Sequence, residues 1–79
     1  MTEVILESLS SGMQEAAISV WYYEEGDQVE EGSDLLEVIS EEGAFKIHAP
    51  CSGILGEVYF AEGENVSVGE VICEIENDD

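Results

Sequence analysis

A chain of 79 residues makes one domain, here residues 1–79, expected to bury about 60–65% of its unfolded surface. Its 20 acidic residues face a single basic one, Lys46, giving a formal net charge of −19. Nucleic acid and anionic membranes bind through Lys and Arg and are excluded as partners, so a protein partner is expected to offer a basic surface.

Solubility and adaptation to high salt are the other two readings of this acidity, and composition alone does not separate the three. Cys51 and Cys73 are too few for a disulfide framework and have no C-x-x-C spacing, so free thiols and a cytoplasmic setting are expected. The opening MTEVILESLS lacks the basic and apolar regions of a signal peptide, and no apolar run approaches the roughly 18 residues that span a bilayer. A monomer is expected.

In chain order, β-branched and aromatic runs predict short strands near 3–7, 16–23, 28–30, 35–40, 44–49, 54–60, 65–68 and 71–76, and no stretch has a helical period. The order contains a repeat. EGDQVEEGSDLLEV at 25–38 and EGENVSVGEVICEI at 62–75 both fit E-G-[DE]-[QN]-V-x-x-G-x-x-[LI]-x-E-[VI], 37 positions apart. Four strands per half predict an all-β fold of two packed four-stranded sheets related by a pseudo-twofold axis. On the fifth strand, alternation turns Phe45, Ile47 and Ala49 toward the core and Ala44, Lys46 and His48 toward solvent. Before it, Ser40-Glu41-Glu42-Gly43 suits a type I turn with Glu42 at its apex. Shifting the tip residues 40–42 by the repeat distance lands on 77–79, so the tip is expected at one end of the domain and the chain termini at the other.

VILESLSSGMQEAAISVW is similar to an opening V-x-M-P-x-L-G followed by E-G and a strand, and Trp21 stands five residues before the Gly26-Asp27 pair. GDQVEEGSDLLEVISEEGAFKIHAPCSGIL then follows without a gap the pattern G-D-x-V, L-x-E-[IV], [TS]-[DE]-K-[AG] and P-x-x-G. In this order and spacing the whole chain resembles the biotinyl/lipoyl-carrier family, and within it the lipoyl domains of 2-oxo-acid dehydrogenase acyltransferases. The resemblance places Leu35, Leu36, Glu37 and Val38 on the strand before the turn. Ser40 and Glu41 take the hydroxyl and acidic positions, and Gly43 takes the small residue after the modifiable lysine. That lysine falls on Glu42, and counting back eight residues from Pro50 gives the same register. The flanking methionines of biotinyl members are absent, so the lipoyl branch is nearer.

The resemblance implies a flattened barrel, the barrel-sandwich hybrid, of two four-stranded antiparallel sheets. It also implies that a working relative shuttles acyl or electron equivalents on a lipoyl-lysine arm, with the acidic turn recognised by lipoate ligase and by components of a dehydrogenase complex. Attachment requires an amine to attack an activated cofactor carboxyl, and Glu42 has none. As written, the chain is expected to carry neither lipoate nor biotin; with lysine at position 42 it would be expected to take lipoate. Three readings of Glu42 stay open: an anionic docking tip, a solvated turn in a scaffold without its arm, and a substitution in an otherwise working carrier. Lys46 lies four residues further on, roughly 13 Å along an extended strand, and is not an apical substitute.

His48 has no ligand-spaced partner, so no metal site is expected. Cys51, after Pro50 in a turn, is the more exposed thiol and Cys73 falls in the last strand; neither has basic surroundings that would activate it. Trp21, Tyr22, Tyr23, Tyr59 and Phe60 interleave with apolar residues, which predicts core or half-buried packing and no base-stacking platform. No nucleophile–base pair, phosphate loop or metal cluster appears. The chain is read as a carrier or interaction module and not as an enzyme.

Overall fold

The structure, a computed structural model, describes residues 1–77. Eight strands run β1 (Thr2–Ile5), β2 (Glu15–Trp21), β3 (Gln28–Val29), β4 (Asp34–Ser40), β5 (Gly43–His48), β6 (Gly53–Val58), β7 (Asn65–Ser67) and β8 (Val71–Asn77). They form two four-stranded antiparallel sheets, ordered β1-β8-β6-β3 and β5-β4-β2-β7, in a flattened body of 37 × 21 × 18 Å. The expected strands are all present. The first, second and sixth end two residues early, at Ile5, Trp21 and Val58; after the latter two the chain leaves the ladder for the turns before β3 and β7.

The repeat is a structural pseudo-twofold. It relates β4 to β8, β2 to β6 and β3 to β7, and matched backbone bonds follow it. Gly26 N–H donates to the Leu55 carbonyl and Gly63 N–H to the Ile18 carbonyl, both at 2.8 Å. The outer strands obey the axis with another spacing. Glu3 opposite Glu74 corresponds to Lys46 opposite Glu37, and those outer residues are 43 positions apart, so β1 and β5 fall outside the sequence repeat.

The doublets Leu35-Leu36 and Ile72-Cys73 would put successive side chains on opposite faces of a regular strand, yet all four are fully buried. The register shifts there: Asp34 pairs with His48 and Leu36 with Ile47, leaving Leu35 over; Val4 pairs with Cys73 and Ile5 with Val71, leaving Ile72 over. A β-bulge in each half therefore turns both members of the doublet inward. They meet Ile18, Val29, Val38, Leu55, Val66 and Ile75 between the sheets. Each such side chain stabilises the fold by about 1.5–3 kcal/mol relative to exposure. No polar or charged side chain is buried among the described residues.

On β5 the alternation is as expected in direction but weaker in degree. Ala49 is buried, whereas Phe45 and Ile47 are only half-buried because β5 is an edge strand with no neighbour beyond it. Tyr22 and Tyr59 depart from the expected packing. They lie just past the ends of β2 and β6, are exposed, and leave the apolar contact to Trp21, Tyr23 and Phe60.

Gly53, of the P-x-x-G run, is fixed by close approach. It pairs with Asn77, and a Cβ at this position would overlap the Glu76 carbonyl oxygen. This crossing also locates the ends of the molecule. Glu31 N–H, just before β4, donates to Ser52 Oγ beside Gly53, so Asn77 lies near the start of β4. The hairpin tip lies at the finish of β4, six residue steps or about 20 Å away. Thr2 Oγ1 and Asn77 Oδ1 are 2.8 Å apart, which brings the two ends of the described chain together away from the tip. Of the expected tip counterpart 77–79, residues 78–79 lie outside the described residues.

Candidate functional site

Ser40 and Gly43 pair across the hairpin, leaving Glu41 and Glu42 as its two-residue turn. Neither glutamate has a positive φ, whereas Gly43 has φ +132°, a conformation that favours glycine. This agrees with the expected type I turn. Ser40 organises it: Glu42 N–H donates to Ser40 Oγ at 3.2 Å, and that oxygen also lies 3.2 Å from Glu42 Oε1 and 3.4 Å from the Gly43 carbonyl oxygen. The hydroxyl thus accepts from the backbone and has two alternative acceptors for its own proton.

A further residue at the tip, Ser10, was not signalled by the hairpin sequence. It comes from the β1–β2 connection, and its Oγ lies a long 3.5 Å from Glu42 Oε1. The connection is anchored by buried Leu6 and Met13, and Met13 N–H donates to the Ser10 carbonyl at 3.2 Å. An apolar anchor on each side of a polar SSG run was the available signal, but nothing local showed which surface the run would reach. Ser40, Glu41, Glu42 and Gly43 form the hairpin tip, and Ser10 is added to them.

Beside the turn lies an open groove of about 650 Å³ whose lining includes Ala16, Ala17, Ile39, Glu15, Glu41 and Glu42. Ile39 is exposed, so an apolar spot lies within an acidic rim. Glu42 offers a carboxylate and no amine. An amide to a cofactor carboxyl cannot form on that side chain, and the tip as written does not fit a lipoyl or biotinyl group.

The other singled-out residues lie away from the tip. Asp34 is met by two side chains of β5, with Lys46 Nζ 3.7 Å from one carboxylate oxygen and His48 Nδ1 3.0 Å from the other. Among the described residues no cluster of His, Cys, Asp or Glu could hold a metal ion. Cys51 is half-buried and Cys73 buried, and burial pushes the Cys73 thiol pKa up to about 12. No described helix is long and apolar enough to cross a membrane.

The profile of a family described as biotin-requiring enzymes, the biotinyl and lipoyl attachment domains, matches residues 2–75. The chain belongs to this family. Among its relatives is the dihydrolipoyllysine-residue succinyltransferase component of the 2-oxoglutarate dehydrogenase complex of Rickettsia conorii, 41% identical over 73 residues. The acetyltransferase component of the acetoin cleaving system of Bacillus subtilis is 34% identical over 73 residues. Each alignment covers 92% of this chain but only 18% of the relative, so the chain spans less than a fifth of those proteins. The solved lipoyl domain of the 2-oxoglutarate dehydrogenase complex of Azotobacter vinelandii superposes with a TM-score of 0.80, covering 99% of this chain and 100% of that one at 15% identity. That likeness establishes the lipoyl-domain fold.

Proposed function

We propose that residues 1–79 form one lipoyl-type domain in which Glu42 occupies the attachment position, leaving a module that docks on protein partners without carrying a cofactor. The observation that carries this reading is the geometry of the turn. Glu42 sits in the two-residue tip between Ser40 and Gly43, the place where a carrier must project its amine. The partners are the components of a 2-oxo-acid dehydrogenase complex or the ligase that modifies such domains, and they meet the acidic tip through basic surfaces. The domain has no active site of its own and works as a cytoplasmic monomer.

A second reading, a substituted version of a working carrier, is favoured by the intact surroundings, since Ser40 still organises the turn and Gly43 still closes it. The test is intact mass after incubation with lipoate–protein ligase, lipoate and ATP, with Glu42→Lys beside the unaltered chain. A lipoyl-sized gain confined to Glu42→Lys supports position 42 as the attachment point. Gain on the unaltered chain, through Lys46, overturns the assignment. No gain in either leaves a turn that the ligase does not read and favours a purely structural module.

A further inference from the structure

The pseudo-twofold axis allows each surface to be compared with its counterpart. On one sheet Lys46 stands opposite Glu37 in the ladder, and its ammonium lies 3.7 Å from Asp34. The equivalent position on the other sheet is Glu3, opposite Glu74. One half supplies a cation from within; the other sets two carboxylates across a strand pair, an arrangement that is destabilising until a cation joins it.

Beside Glu3 is a hollow of about 350 Å³ lined by Glu3, Tyr59, Phe60, Glu70 and Val71. Two of its polar side chains, Tyr59 and Glu70, are held in place. Tyr59 O–H donates to Glu74 Oε2 at 2.8 Å, and Glu70 Oε1 accepts Ser67 N–H at 2.8 Å. Tyr59 is nonetheless 42% exposed, so aromatic surface remains available between carboxylates. A hydrogen bond from the phenol to a carboxylate also enriches the ring in electron density, which strengthens its attraction for a cation.

We propose that this hollow seats an arginine side chain of a basic protein partner, its guanidinium lying against Tyr59 and paired with Glu3 and Glu70. A planar, weakly hydrated cation that can both stack on an aromatic face and bridge carboxylates matches this lining better than a compact ammonium does. The charge of −19 draws such a partner in and disfavours a second copy of this chain. The hollow shares no lining residue with the groove at the hairpin tip, so this contact is independent of what residue 42 is or carries.

The test is a titration of the isotope-labelled protein with the blocked pentapeptide Gly-Gly-Arg-Gly-Gly at low ionic strength, followed by amide shifts, with the citrulline peptide as uncharged control. Shifts should concentrate at Tyr59, Phe60, Glu70 and Val71 and be absent with citrulline. Tyr59→Leu should weaken binding by about two- to fivefold. Glu3→Lys, which supplies the internal cation that Lys46 provides in the other half, should abolish the shifts in the hollow while leaving the core resonances in place. Shifts spread equally over Glu41, Glu42 and the other carboxylates, or binding indifferent to Tyr59→Leu, would overturn the proposal.

Discussion

Removing a carboxylate from a chain of charge −19 ought to stabilise it, yet at two positions the structure predicts the reverse. Glu25 Oε2 accepts Val58 N–H at 2.7 Å, and Glu62 Oε2 accepts Trp21 N–H at 3.0 Å. Both are the glutamate of the repeated E-G pair, and each ties the turn leaving one sheet to the strand end of the other sheet. A hydrogen bond to a charged acceptor contributes about 1.5–3 kcal/mol when shielded; these are exposed, so about 1 kcal/mol each is the expectation. Glu25→Ala and Glu62→Ala should each destabilise by that amount, and the corresponding Gln variants, which retain a neutral acceptor, by about half. The two sites are pseudo-twofold mates without a shared partner, so the double variant should be additive within about 0.5 kcal/mol. Glu57→Ala, exposed and accepting no backbone N–H among the described residues, is the control and should be neutral or slightly stabilising. Urea unfolding followed by circular dichroism measures all six variants, with 1 kcal/mol moving the midpoint by up to about 1 M. If Glu25→Ala and Glu62→Ala behave like Glu57→Ala, the E-G carboxylates serve only as charge, and the structural role assigned to them is wrong.

Gly53→Ala should destabilise by more than about 2 kcal/mol, because a Cβ meets the Glu76 carbonyl and β6 must part from β8; a loss below about 0.5 kcal/mol in the same urea series would contradict that close approach. The alkaline limb of stability follows from two raised pKa values. The Cys73 thiol rises from 9.0 to about 12 through burial, and the Tyr59 phenol from 10.0 to about 12 chiefly through its hydrogen bond to Glu74. In both cases the folded state holds the proton more tightly than the unfolded chain, so the stabilisation is complete below about pH 9 and is lost between 9 and 12. Urea midpoints flat through that window would refute this, and Cys73→Ser should remove the thiol part of the decline. At pH 8, a thiol reagent should label Cys51 well ahead of Cys73.

What the sequence made legible was whatever depends on local period and spacing. The repeat announced two matched halves, the alternation on β5 had the right direction, and the S-E-E-G run gave the turn. What it concealed depends on chain segments far apart. The doublets Leu35-Leu36 and Ile72-Cys73 conflict with strand alternation, and only the bulged pairing with β5 and β1 resolves the conflict. The repeat pattern included Glu25 and Glu62 without revealing that they cap strand ends on the opposite sheet, since each bond spans more than thirty residues. Tyr22 and Tyr59 continue aromatic runs, so periodicity extended the strands through them; the ladder stops one residue earlier and leaves both rings exposed. Ser10 reaches the tip across a connection with no period at all.

The tip divides its labour in a way that explains how a glutamate can stand at the apex without cost to the fold. Position 40 supplies the hydroxyl that accepts Glu42 N–H, and position 43 supplies a glycine at φ +132°; both are fixed by the backbone path. Position 42 has no such duty. Its side chain is exposed, and its contacts to Ser10 and Ser40 at 3.5 and 3.2 Å are long for oxygen–oxygen hydrogen bonds. Glu42→Lys should therefore change stability by no more than about 0.5 kcal/mol, while Ser40→Ala, which removes the turn's acceptor, should cost about 0.5–1.5 kcal/mol. Urea denaturation of the two single variants and the double variant decides the point. A loss above about 1 kcal/mol for Glu42→Lys would mean that the carboxylate clamps the β1–β2 connection onto the hairpin, and the apex would then be part of the scaffold and no longer a freely exchangeable position on it.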